Sequence, residues 1–346
     1  MKRKRPRRRS SEGAPDRNSE RSTNMTMVET MGVSAQSTRP APSSRSTAPR
    51  LRRQKALFLL MLVAPAVLFA LAVCVYPIVS AFSLSFFDYD LRHAAVAPQF
   101  VGLDNYTRFL TDPLGQQAIV NTLTFAVAAV AIELVLGLAI ALMLWRDTRF
   151  NKVVTALFLV PVAFTPLVGA LLFKNLYSTT YGPLGVIVNA LAGGNLDSLV
   201  TNPVTAMPAI ILVDVWQWTP LIALTLLGGL RSLPDEVIEA ASLDGAGYWR
   251  RLFAMVLPQL SSFIFIAVVI RTMDAFKVFD SIYAITGGGP GNATTTLNYL
   301  AFTEGLQFFN VGYASAISNV LLIIIVAFSA VYVFSLNRLN RKYETH

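Results

Sequence analysis

An all-α chain that crosses a membrane six times is predicted by three features of this sequence. First, 54% of its 346 residues are hydrophobic and only 14% are charged, against about 25% charged in soluble domains; mean hydropathy is +0.52. Second, stretches at roughly 57–80, 118–145, 153–173, 205–230, 259–285 and 314–336 are apolar over the ~20 residues that a helix needs to cross a bilayer core of ~30 Å. Third, the basic residues between these stretches alternate from one connection to the next, as they do in a polytopic membrane protein.

The first stretch carries no charge from Ala56 to Phe87. That is far longer than the apolar region of a cleavable signal peptide, so it reads as a retained transmembrane helix. The tail before it holds the basicity of the chain. Residues 1–55 contain 15 Lys/Arg and 4 acids, and the remainder 14 and 16, within a formal net charge of +9. Rich in Pro, Ser, Thr and Arg, this tail lacks apolar surface to offset chain entropy and reads as disordered. Its runs Lys2-Arg3-Lys4-Arg5 and Arg7-Arg8-Arg9 suit anionic headgroups or RNA, a topology anchor, or a segment upstream of initiation at Met25 or Met27. Membrane lipid, and not nucleic acid, is the expected partner.

Orientation follows from the connections. The tail, the second-to-third loop (Arg146, Arg149, Lys152), the fourth-to-fifth loop (Arg231, Arg250, Arg251) and the C-terminus (Arg338, Arg341, Lys342) are basic. The alternate loops hold only Arg92, Arg108 and the border residue Lys174. Both termini are therefore expected on the cytoplasmic side of the membrane. The domain organisation expected is a disordered basic cytoplasmic tail at 1–55, a first transmembrane helix with its outer loop at 56–117, and a transmembrane domain at 118–340 with a cytoplasmic loop at 231–258.

Soluble chemistries find little support. Cys74 is the single cysteine and His93 and His346 the two histidines, so neither an internal disulfide nor a metal centre is expected. No cofactor is predicted. The chain contains no Gly-x-x-x-x-Gly-Lys-Ser/Thr, so it has no nucleotide-hydrolysing loop of that type. Gly287-Gly288-Gly289-Pro290-Gly291 lacks the following Lys-Ser/Thr and reads as a tight re-entry turn. Pro65, Pro77, Pro161, Pro166, Pro208 and Pro220 fall within the spans, where they bend helices through packing geometry or around a cavity.

Between the fourth and fifth spans lies a charged amphipathic island. Ser232, three residues before Asp235, forms a capping-box pattern, and Pro234 suits a first helical turn. A helix is expected to about Leu243, a turn at Asp244-Gly245, and a second helix from Tyr248 to Val256 that Pro258 ends or redirects. Small alanines beside Glu239 admit the groove of another protein, while Glu239 can pair with an arginine there. No nucleophile and base are paired in the island, so it suits docking and not catalysis.

The spacing Glu239-Ala240-Ala241, Gly245, Met255, Leu257-Pro258 resembles the EAA loop of permease subunits of binding-protein-dependent ABC importers, with Met255 where isoleucine is more usual. Phe100-Val101-Gly102-Leu103-Asp104-Asn105-Tyr106, Trp216-Gln217-Trp218-Thr219-Pro220 and the run from Phe279-Asp280-Ser281 to Gly287-Gly288-Gly289-Pro290 resemble the carbohydrate-uptake branch. Within it they are similar to the first permease of a pair in maltose, trehalose or glycerol-3-phosphate type systems. The resemblance covers about residues 57–340. It implies that Glu239, Ala240, Ala241, Asp244, Gly245, Ala246, Leu257 and Pro258 couple the chain to a cytoplasmic ATPase dimer, which hydrolyses the ATP. It also implies a second permease subunit in a heterodimer and an extracytoplasmic solute-binding protein, and makes this chain a transport subunit and not an enzyme.

Charges inside the spans are the candidate solute pathway. Arg271, Asp274, Lys277 and Asp280 recur every three residues with alternating sign, a spacing that pairs neighbours on one helix. Asp214 and Glu133 fall within the fourth and second spans, and Trp216 and Trp218 offer aromatic faces to a sugar ring or serve as packing anchors. A lone charge at membrane depth costs roughly 2.5–3.5 kcal/mol, so these groups must face protein or water. The row is either a salt-bridge chain that fixes the fifth helix or a border of the pathway. The function expected is a permease for a sugar or sugar-like solute, with glycerol-3-phosphate or polyol transport, an ion-coupled secondary transporter using Glu133 or Asp214, and a membrane-embedded enzyme as alternatives.

Overall fold

The computed structural model describes residues 48–93, 96–193, 198–234, 245 and 247–343, which fall into two units divided between Val63 and Ala64. The described part of the first is helical throughout, as the start of α1 (Ala48–Ala70). This helix begins inside the segment expected as tail.

The second unit takes α1 onward through α2 (Tyr76–Leu84). It continues with β1 (Phe87–Asp88), β2 (Gln99–Phe100), α3 (Asp104–Thr111), α4 (Pro113–Leu144), α5 (Arg149–Phe158), α6 (Val160–Ala163), α7 (Pro166–Leu176), α8 (Pro183–Leu191) and α9 (Pro203–Arg231). After the island come α10 (Tyr248–Arg251), α11 (Leu257–Ala275), α12 (Asp280–Ile285), α13 (Leu297–Phe302) and α14 (Val311–Tyr343). Among the described residues five helices are long and apolar enough to span a membrane, and a bent pair makes a sixth if its two halves form one span. The residues of Leu57–Leu84 are exposed along their apolar window, whereas two thirds of the window in Pro203–Arg231 are buried. α9 is the central column, with α4, α7 and α11 packed around it.

Two spans depart from the sequence expectation. The third is not one helix over 153–173: Arg149–Ala163 and Pro166–Leu176 meet at 94°. Phe164 and Thr165 are extended there, with ψ of 140° and 144°; Thr165 precedes Pro166, and a residue before proline is pushed out of the helical region. The fifth does not run over 259–285. It starts earlier, as one helical stretch from Tyr248, and stops at Ala275; Phe279, at φ −142°, separates it from α12.

Pro258 neither ends nor redirects that helix. A π-turn at Leu252–Val256, in which the Leu257 N–H reaches the Leu252 carbonyl, precedes it by one residue. The same arrangement occurs at Leu71–Val75, where the Tyr76 N–H reaches Leu71 just before Pro77. The wide turn places its slack where the proline ring crowds the preceding carbonyls, so the helix continues without breaking.

The loops at the end opposite the island are tied down by polar side chains. Asn105 donates to the carbonyls of Ser85 (2.9 Å) and Phe87 (3.0 Å), and the Tyr106 hydroxyl meets Ser85 Oγ (2.7 Å) and accepts from Asn319 Nδ2 (3.1 Å). The Phe100–Tyr106 motif thus joins α2, α3 and α14. Strands β1 and β2 pair antiparallel, and the Val311 and Gly312 amides donate to the Tyr89 carbonyl. A Cβ on Gly312 would run into the Phe87 carbonyl. Gly312→Ala is expected to destabilise the protein by about 1–3 kcal/mol, the usual result of overpacking; a melting curve in detergent equal to wild type would contradict this close approach.

The glycine-rich run after α12 is a turn, as expected. Gly287, Gly288 and Gly291 take φ of +59°, +81° and +55°, a region that L-residues with a Cβ avoid. Thr294 Oγ1 donates to Gly289 O (2.7 Å) and Thr295 Oγ1 to Gly288 O (3.1 Å). Asn121 of α4 then clamps the loop, donating to Asn292 O (3.1 Å) and Thr295 O (2.9 Å).

Candidate functional site

Three charges drawn from three spans meet inside the bundle. Glu133 of α4, Asp214 of α9 and Arg271 of α11 are 0%, 7% and 2% exposed. Arg271 Nη2 donates to Glu133 Oε1 at 3.0 Å and to Asp214 Oδ2, and Nη1 donates to Asp274 Oδ2 at 3.1 Å. Arg271 Nε lies 2.8 Å from Glu133 Oε2, yet neither atom has a properly aligned hydrogen-bond partner, so this contact is an ion pair and not a second directed bond. The planar guanidinium fork suits such multiple recognition, and the low-dielectric interior strengthens each attraction while making an unpaired member expensive.

This cluster corrects the reading of Arg271, Asp274, Lys277 and Asp280 as a chain along one helix. Arg271 and Asp274 do share α11 and pair at i, i+3. Lys277 lies beyond the helix in the turn and reaches Asp274 only at 3.9 Å, while Asp280 opens α12. The dominant partners of Arg271 come from other helices, 57 and 138 residues away in sequence.

The two candidate tryptophans separate. Trp218 faces Arg271, whose guanidinium carbon stands 5.3 Å from the ring centroid, a cation–π contact that occupies that face. Trp216 packs between Phe164 (6.1 Å) and Phe173 (5.1 Å) and lines a cavity of about 430 Å³ with Pro161, Thr219 and Pro220. The cavity borders the broken third span. Gln217, singled out only as part of a motif, holds that break, its Nε2 donating to the Phe164 carbonyl at 3.0 Å. The Thr219 hydroxyl is buried without a hydrogen-bond partner among the described residues. On the far side, Lys174 Nζ donates to the Ala284 carbonyl at 2.8 Å and joins α7 to α12.

Of the expected coupling residues, Glu239, Ala240, Ala241, Asp244 and Ala246 lie outside the described residues. Gly245 takes φ +76°, with nothing within 4 Å of a would-be Cβ among the described residues. Leu257 and Pro258 open α11.

A helical bundle with fixed charges turned inward, a broken span and a cavity beside the break has the build of a membrane transport protein. Its residues 133–345 match the family described as binding-protein-dependent transport system inner membrane component, and the chain belongs to that family. It is 34% identical over 286 residues to the trehalose/maltose transport system permease protein MalF of Thermococcus litoralis, covering 82% of this chain and 95% of the relative. It is 35% identical over 293 residues to the trehalose transport system permease protein SugA of Mycobacterium tuberculosis, covering 83% and 91%. A solved bacterial ABC transporter involved in import of the acidic polysaccharide alginate has the same fold, with TM-score 0.69 at 20% identity over 85% of this chain and 98% of that one. The chain is therefore a multi-pass membrane permease subunit of an ABC importer, a transport subunit and not an enzyme.

Proposed function

We propose that this chain forms part of the pathway for a neutral sugar of the trehalose or maltose class, delivered by an extracytoplasmic binding protein. A second permease subunit completes the pathway, and a cytoplasmic ATPase dimer drives it through the Glu239–Pro258 loop. The likeness to sugar permeases supports the substrate class. The observation that carries the choice of a neutral solute is the composition of the buried cluster: Glu133, Asp214 and Asp274 surround one guanidinium, a field that disfavours a phosphorylated solute. That argues against glycerol-3-phosphate, leaves a polyol as the second reading, and gives the carboxylates a structural partner that an ion-coupled carrier would have to disrupt.

Trp216 is the residue assigned to the solute side of the broken span, where an indole face suits the C–H face of a sugar ring. Orientation with both termini cytoplasmic is supported by Arg146, Arg231 and Arg251 gathering at one end of the bundle. Uptake by the reconstituted complex is expected to require ATP and to be competed by trehalose or maltose but not by glycerol-3-phosphate. Uptake driven by a proton gradient without ATP, or competition by glycerol-3-phosphate alone, would reject this assignment.

A further inference from the structure

The end of the bundle that carries the island holds a second, larger cavity. It measures about 630 Å³ and is bounded where α4 ends (Trp145, Arg146), where α9 ends (Arg231) and where α10 begins (Tyr248, Arg251). Its inner wall is apolar, formed by Leu142, Leu230, Leu252 and Val256. Its rim is cationic. Asp147, also on the rim, is already engaged by Lys152 at 3.2 Å and reaches Arg231 at 3.9 Å, which leaves Arg146 and Arg251 without a carboxylate partner among the described residues. Arg251 Nε is buried and makes no hydrogen bond among the described residues.

We propose that this cavity binds an anionic phospholipid, its phosphate on Arg146, Arg231 and Arg251 and the upper part of its acyl chains against the leucine wall. Two observations select an amphiphile over a small anion. The three span ends place the rim at the level of lipid headgroups, with Trp145 and Tyr248 as the aromatics typical of that depth. The floor is apolar, and a free phosphate would leave that surface unfilled, whereas basic pockets between transmembrane helices suit acidic headgroups. The buried Nε of Arg251, a lining residue, is a donor without a partner among the described residues, and leaving it unpaired is costly. A lipid bridging the ends of α4, α9 and α10 would brace both flanks of the 231–258 segment. The assignment is independent of the solute carried.

The test uses the full-length chain purified with its partner subunits, delipidated in neutral detergent and titrated with dioleoyl phosphatidylglycerol or dioleoyl phosphatidylcholine, with retained lipid read by native mass spectrometry. Phosphatidylglycerol is expected to be retained preferentially, and each of Arg146→Gln, Arg231→Gln and Arg251→Gln to lower that preference about fivefold. Arg92→Gln, at an exposed outer-loop site paired to Asp90, should leave it unchanged. Millimolar inorganic phosphate should not displace the lipid. Equal retention of the two lipids by the unaltered complex, displacement by phosphate alone, or a preference indifferent to all three arginine changes would each overturn the proposal. The comparison of lipids on the unaltered complex stands even where a variant does not fold.

Discussion

Arg271→Met is expected to destabilise the protein by about 3–5 kcal/mol, the usual penalty for removing one partner of a buried ionic group, and to lower its melting temperature in detergent by on the order of 10 °C. The guanidinium is the only cation within reach of both Glu133 and Asp214 among the described residues, so its loss leaves two carboxyl groups buried without a partner. A methionine refills most of the volume, which isolates the electrostatic part of the change. The triple variant Arg271→Met, Glu133→Gln, Asp214→Asn should regain most of the lost stability, because neutral amides can bond to one another and the one charge that loses its arginine, Asp274, is half exposed and keeps Lys277 at 3.9 Å. If Arg271→Met alone melts within a degree or two of wild type, the cluster does not hold the three helices together. If the triple variant is no better than the single one, packing and not charge explains the loss.

The same cluster shows where sequence reasoning reached and where it stopped. The spans were legible because an apolar run of bilayer length has few other uses, and the Gly287–Gly291 turn was legible because no Walker residues followed it. The partners of Arg271 were not, since a spacing of three along the chain points to neighbours on one helix, while Glu133 and Asp214 arrive from elsewhere in the fold. A signal did exist. Glu133, Asp214 and Arg271 each interrupt an apolar span, and isolated charges at that depth must find one another.

Prolines were legible as perturbations but not as outcomes. Pro208 and Pro220 remain inside α9, and Pro258 is absorbed by a π-turn one residue upstream. The break at Phe164–Thr165 differs because Pro161 and Pro166 bracket a short segment whose freed carbonyl at Phe164 finds a side-chain donor in Gln217. Whether a proline bends or breaks a span thus depends on a tertiary donor that periodicity does not display.

The proposed coupling loop gives the second large effect. Glu239→Lys and Gly245→Asp are each expected to abolish ATP-driven uptake while the chain still inserts at wild-type levels and the assembled ATPase still hydrolyses ATP without response to solute. The two act differently. On the proposed coupling role, Glu239→Lys would reverse the charge offered to a partner ATPase. Gly245 sits at φ +76° with nothing near a would-be Cβ among the described residues, so substitution there meets backbone strain. The left-handed conformation costs a residue with a Cβ roughly 1–2 kcal/mol, and asparagine less. Gly245→Asn should therefore retain most uptake and Gly245→Val should lose about five- to thirtyfold, while the gap between Gly245→Asn and Gly245→Asp, nearly equal in shape, measures the effect of charge in the groove. Uptake at the wild-type rate by Glu239→Lys would remove the loop from the coupling path, and equal loss in Gly245→Asn and Gly245→Val would show that side-chain bulk at the partner surface, and not backbone conformation, sets the requirement for glycine.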